Sequence, residues 1–224
     1  TRLLLLTNGE GYKEILHPEK ILFSCNVPID LLCNNKGFGP MNTATKANIH
    51  PPIDAVPEHE RNEYMNQVSY YYEEDFPKNG IVELDGLKFT LIRSKETGFD
   101  NMICRGQMIE IEEHDINTIY LIGCSEYGNH SEELIVHFLD GTVQKVVFGL
   151  TDWWFKPHFN DRVVWQGRSV IWSKGRAFID YYTHYIYAVK LDIENNSGVR
   201  AIEFPVCENM HIFSIAVAKA VTSL

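Results

Sequence analysis

An all-β sandwich is the expectation for these 224 residues. Three observations carry it. Runs rich in Val, Ile, Tyr and Phe recur along the chain, because β-branched and aromatic side chains fit a pleated, half-buried surface. Asp-Gly and Asn-Gly pairs separate them, and such pairs supply the positive φ that turns one strand back on the next. Within the runs, apolar residues alternate instead of recurring at helical spacing. Turn signals about every ten residues are those of a sandwich, with a closed barrel as the neighbouring possibility. Sandwiches of this length often run undivided, so residues 1–224 are read as one domain.

The first hairpin is expected at Ile81 to Leu84 and Leu87 to Ile92, about the Asp85-Gly86 turn. The second pairs Glu133 to Leu139 with Thr142 to Leu150 about Asp140-Gly141, and Leu134, Val136 and Phe138 fall on one face. Further strands are expected at Arg162 to Trp165, Ser169 to Trp172, Tyr185 to Leu191, Val199 to Phe204 and Met210 to Val217. Tyr70-Tyr71-Tyr72 alternates as part of a strand, core and rim. Helix signals are few. The best runs from Asp54 to Gln67, with Asp54 as cap and Pro57 in the first turn, enough for a turn or two. The stretch from Asn34 to Asn66 is poor in strand signal and reads as a long excursion of the kind that carries function.

Composition narrows the classes of partner. At 45% hydrophobic and 22% charged the chain has the make-up of an ordinary folded protein. The net charge of −10 argues against nucleic acid, whose phosphates demand clustered Lys and Arg. No apolar run approaches the length that crosses a bilayer, so no membrane span is expected. Cys25, Cys33, Cys104, Cys124 and Cys207 are scattered and never form a C-x-x-C pair. Neither a disulfide framework nor a zinc ribbon is indicated, and free thiols favour a reducing, cytoplasmic setting over a secreted one.

The stretch from Ile119 to Trp154 reads IYLIGCSEYGNHSEELIVHFLDGTVQKVVFGLTDWW. It contains Leu121-Ile122-Gly123-Cys124, Gly128-Asn129-His130, Asp140-Gly141 and Thr151-Asp152-Trp153-Trp154 in series. In this wording the chain resembles a module appended to bacterial glycoside hydrolases, among them mannosidase- and glucosidase-like enzymes. Further matches run from Val27-Pro28-Ile29-Asp30 and Asn34-Asn35-Lys36-Gly37 through Tyr71, Phe76-Pro77, Asp100-Asn101 and Arg105-Gly106-Gln107 to Glu208-Asn209-Met210-His211-Ile212-Phe213. Two places depart from the pattern. The usual Asn-Gly-Asp-His turn lacks its Asp, and a usual glycine-rich segment reads Asn66-Gln67-Val68-Ser69-Tyr70 here. The resemblance implies a jelly-roll sandwich of the galactose-binding type with a carbohydrate-binding role.

Sugar recognition needs an aromatic platform for the apolar face of a pyranose and polar groups to answer its hydroxyls. Asp152, Trp153 and Trp154 offer both kinds, although neighbours on an extended strand face opposite ways, so one Trp is expected in the core. Their structural alternative is a Trp closing the sandwich end and an Asp holding a loop. Asn129 and His130 stand in a turn between strands, either displayed for binding or serving a turn in which Asn129 is left-handed. Asn34 and Asn35 carry the same ambiguity, and Trp165 is a further candidate. Nine His residues occur without H-x-x-x-H or H-x-H spacing, which disfavours a catalytic metal. No cofactor is expected beyond a structural Ca²⁺ held by Asp152 and Asp161. Glu73-Glu74-Asp75 and Glu132-Glu133 read as solvated charges on strand ends.

No G-x-S-x-G elbow, P-loop or Rossmann fingerprint is present. The leading reading is therefore a non-catalytic carbohydrate-binding or accessory module, alone or attached to a catalytic domain. Its rivals are a small sugar-processing enzyme of glycoside hydrolase type, whose carboxylates the sequence does not identify, and a ligand-free interaction domain that pairs with a partner or with itself as a homodimer.

Overall fold

The computed structural model describes residues 15–17, 20–22, 67–78, 80–84, 86–91, 101–113, 116–173, 176–194 and 197–219. Asn34, Asn35, Cys25, Cys33 and the helix expected from Asp54 lie outside them, except that Gln67 opens a strand.

The strands in chain order are β1 (Ile15–His17), β2 (Lys20–Leu22), β3 (Gln67–Tyr71), β4 (Ile81–Leu84), β5 (Leu87–Thr90), β6 (Met102–Arg105), β7 (Met108–Glu113), β8 (Ile116–Ser125), β9 (His130–Phe138), β10 (Val143–Leu150), β11 (Arg162–Ser173), β12 (Arg176–Asp192), β13 (Val199–Glu203) and β14 (Val206–Lys219). Among the described residues a 3-10 turn spans Glu73–Asp75. Six strands form one sheet in the order β3-β11-β12-β8-β14-β6, and four form another in the order β10-β9-β13-β7. Both are antiparallel throughout. The first hairpin forms in the expected register, with Leu84 opposite Leu87. In the second, Val143 stands opposite His137 and the N–H of Phe138 donates to the carbonyl of Thr142, so Leu139 joins Asp140 and Gly141 in a three-residue loop and the register is one residue from that expected. Gly86 and Gly141 supply positive φ at 77° and 87°.

Between the sheets, Ile119 and Leu121 of β8 meet Leu134, Val136 and Phe138 of β9 and Val199 and Ile202 of β13, all buried. This is the sandwich core. The larger sheet also buries its other face. There Ile122 and Cys124 of β8, Ile186 and Ala188 of β12 and Phe213 of β14 pack against Val82, Leu87 and Phe89 of the β4–β5 hairpin and against Tyr71, Trp153 and Trp165. Double coverage explains why β8 is an almost unbroken apolar run while β9 alternates: a strand covered on both faces has no solvent side to keep polar.

One expected pair of strands is a single longer strand with irregularities. Arg162 to Trp165 and Ser169 to Trp172 belong to one strand, β11, and its ladder with β12 slips between Gly167 and Ser169. Gly167 faces His184 while Ser169 faces Asp180, so Tyr181, Tyr182 and Thr183 stand opposite Arg168 alone. Bulges of this kind re-aim side chains and gather beside functional sites.

Candidate functional site

The site begins where β10 ends. Thr151 to Asp161 leave the sheet, and two buried aspartates fix them. Asp152 accepts hydrogen bonds from the backbone N–H of Gly128 (2.6 Å) and of Trp154 (2.9 Å). Asp161 accepts from the N–H and hydroxyl of Thr151 at 2.8 and 3.0 Å and from the N–H of Phe159 at 3.3 Å. All four carboxylate oxygens therefore serve the backbone or Thr151. The two aspartates expected to ligate Ca²⁺ satisfy loop N–H groups, which buried chain must have. Among the described residues, no group of three or more His, Cys, Asp or Glu side chains is placed to hold a metal ion.

The neighbouring turn is tied to the same loop. Asn129 Oδ1 accepts from the N–H of Asp152 at 2.9 Å. His130 Nε2 lies 3.2 Å from the carbonyl of Glu126 and 3.4 Å from Asn209 Nδ2. The left-handed residues of this turn are Tyr127 (φ 57°) and Gly128 (φ 118°), where the sequence pointed to Asn129. Asn129, exposed, and His130, half-buried, thus each contact the segments that meet at this turn.

At Asp152–Phe155 the chain reverses, the N–H of Phe155 donating to the carbonyl of Asp152 at 3.0 Å. Reversal sends the two tryptophans in different directions. Trp153 is 1% exposed and meets the Tyr71 ring edge-on at 5.1 Å. Trp154 is 38% exposed, with Phe155 beside it also in solvent. Trp165 stacks on Phe76 at 4.0 Å and 6° between planes, its Nε1 donating to the carbonyl of Asp75. Gly167 makes room, since a Cβ there would lie 2.3 Å from the Trp165 ring. Trp153 and Trp165 are therefore core residues, and of the three tryptophans named from the sequence only Trp154 presents a face.

Its companions come from the bulge of β12. Tyr182, 72% exposed, lies with its ring 6.0 Å from that of Trp154, at 47°. Tyr181 next to it is also exposed. Beneath them is His184, fully buried, with Trp153 and Trp154 each 4.4 Å from its ring. Burial pushes this imidazole below its usual range, against the opposing influence of Asp180 and Asp152. It is neutral at pH 7, with one nitrogen donating and the other accepting.

Asp180 spends Oδ1 on the N–H of Tyr182 at 3.0 Å. Its Oδ2 lies 3.4 Å from His184 Nε2 without the alignment of a hydrogen bond. Among the described residues, Asp180 Oδ2, both nitrogens of His184 and the hydroxyl of Ser169 have no hydrogen-bond partner. Ser169 pairs directly with Asp180 on one side and with Tyr71 on the other. Side chains directly opposite share a face, so Ser169 and Asp180 look into the aromatic layer to which Tyr71 belongs.

The far side of the bulge is anchored by Arg168. Its guanidinium grips Asp75 through Nε at 2.9 Å and Nη2 at 2.7 Å, and its N–H reaches the same carboxylate at 2.8 Å. That grip holds the Asp75 carboxyl below the usual range. Asp75 is a half-buried anchor, where the sequence suggested a solvated charge at a strand end.

Ser169, Asp180, His184 and Tyr182 escaped the sequence reading. Their signal was present in the run Asp180-Tyr181-Tyr182-Thr183-His184, whose alternation breaks. Only pairing with β11 shows that the break places three polar side chains under an aromatic wall.

These features define an antiparallel β-sandwich domain with an aromatic, loop-locked end. The chain belongs to the AziU2-like β-sandwich domain family, whose model matches residues 27–221. No curated protein matches the sequence.

Proposed function

We propose that this domain binds carbohydrate without catalysis, on the platform made by Trp154 and Tyr182. The observation that carries the reading is that two exposed aromatic rings stand in contact over buried polar groups, on segments fixed by Asp152, Asp161 and the Arg168–Asp75 pair. Rings held by such supports supply apolar area at low entropic cost, and a pyranose presents an apolar face of matching kind. Phe155 and Tyr181 widen the surface. Attachment to a glycoside hydrolase would suit such a module, which would hold the catalytic domain against its polymer.

A protein partner would use the same exposed rings, which is the second reading this patch supports. The buried polar groups favour sugar, since an apolar partner gains nothing from them. A thermal-shift and calorimetric screen against neutral mono- and oligosaccharides tests the choice. Saturation at a hundred times the dissociation constant stabilises the fold by about 2.7 kcal/mol, and Trp154→Ala is expected to abolish that gain while the variant still melts cooperatively. No shift with any sugar at millimolar concentration, together with a mass that rises with protein concentration, would move the assignment to a self-associating surface.

A further inference from the structure

We infer that Ser169, Asp180 and His184 form a hydroxyl-binding subsite beneath the Trp154–Tyr182 platform, which takes adjacent hydroxyls from the edge of a neutral sugar ring. This rests on the carbohydrate reading of the platform and adds its polar half.

Leaving a polar atom buried and unpaired costs on the order of 1–3 kcal/mol, so several at one place call for an account. Here they belong to three residues on adjacent strands: Ser169 and Asp180 directly paired, and His184 four residues on with Nε2 3.4 Å from Asp180 Oδ2. Their capacities are complementary to hydroxyl groups. The serine hydroxyl donates and accepts, neutral imidazole offers one donor and one acceptor, and Asp180 Oδ2 accepts. Two neighbouring hydroxyls, each both donor and acceptor, satisfy this set without any net charge moving. A uronate or sulfated ring would bring its anion to a carboxylate in a chain of net charge −10, and is disfavoured.

The fold supplies a route to these groups. Tyr181, Tyr182 and Thr183 lie outside the β11–β12 ladder, so the segment can shift with its flanking ladder bonds intact. Trp154, on the other side, hangs from a turn and not from a strand. In a second buried pair, Glu126 and His211 with Nε2 3.5 Å from Oε1, the His211 ring already meets Asn101 at 2.9 Å.

The test is calorimetric titration of the whole chain and of its Ser169→Ala, Asp180→Asn and Trp154→Ala variants. The probes are the methyl glycosides of glucose, galactose and mannose, neutral oligosaccharides built from them, and methyl glucuronide, with melting temperatures in parallel. The expected result is that a neutral glycoside binds the parent and that Ser169→Ala weakens it about tenfold while the unliganded variant melts no lower than the parent. That pairing separates a ligand subsite from a structural role. If Ser169→Ala and Asp180→Asn bind within twofold of the parent while Trp154→Ala does not bind, the subsite is overturned and the platform stands. A lower melting temperature for Ser169→Ala with unchanged affinity assigns the groups to a structural water and overturns the subsite as well. Binding of the glucuronide as tightly as of neutral sugars removes the neutrality requirement. If no glycoside binds the parent, the carbohydrate reading falls and the subsite with it.

Discussion

Asp161 and Asp180 sit in two irregular segments of the same sandwich, 4% and 9% exposed, and differ in what their carboxylates touch. Asp161 has both oxygens occupied, by Thr151 and Phe159. Asp180 uses one oxygen on its own bulge and leaves the other facing His184. A buried charge acquires partners or becomes expensive, so the first arrangement is what a loop needs to hold its shape. The second sets side chains under exposed rings without closing their hydrogen bonds, and structure alone gives no return for that. The carboxylates of the 151–161 loop hold their segment in place, whereas the 180–184 bulge leaves a buried carboxylate oxygen and an imidazole without hydrogen-bond partners among the described residues.

The widest separation between the two roles should come from the adjacent tryptophans. Trp153→Ala is expected to cost about 3–5 kcal/mol, the usual loss for a large buried aromatic. Trp154→Ala should cost well under half of that, because its ring already meets water. Urea denaturation of both variants checks it, and equal losses would mean that Trp154 belongs to the core and that no platform exists.

Next in size is the contrast between the aspartates. Asp161→Ala strips acceptors from two backbone N–H groups and a hydroxyl, a loss of about 3 kcal/mol at the rate of charged hydrogen bonds. Asp180→Ala removes one accepted bond, that from Tyr182, and relieves an unpaired oxygen, so its cost should stay near 1 kcal/mol or below. A larger loss at Asp180 than at Asp161 would reverse the division of roles.

The sequence disclosed the sandwich because alternation and turn chemistry are local: Leu134, Val136 and Phe138 announce a face, and Asp140-Gly141 announces a turn without knowledge of the partner strand. It disclosed part of the site for the same reason. Thr151-Asp152-Trp153-Trp154 stood out as aromatic and polar together, and extended geometry already required one Trp inside. Which one faces in depended on the reversal at Asp152–Phe155, and that depends on Gly128, 24 residues away. Trp165 was misplaced because its environment is made by Phe76 and Gly167, from two distant segments. The Ser169–Asp180–His184 group was invisible because its three members meet only through the slipped register of β11 and β12. Long-range pairing, not residue type, carries that information.

The smallest effect sharpens the comparison from the side of protonation. His184 is held neutral by burial, so its folded-state pKa lies below the roughly 6.5 of an unfolded chain. Between those two values the unfolded chain binds a proton that the folded protein refuses, and stability therefore rises with pH across that window. Above about pH 6.5 the contribution is complete, and it is lost as the pH falls toward the folded value, with a slope of at most about 1.4 kcal/mol per pH unit for one proton. His184→Gln should flatten the dependence of the urea midpoint between pH 6.5 and 5, relative to the parent, and leave the midpoint at pH 8 little changed. An unaltered slope in the variant would mean that His184 accepts a proton as readily folded as unfolded. In that case Asp180 already acts as its ionic partner, and the bulge would be a closed salt bridge with nothing left to offer a ligand.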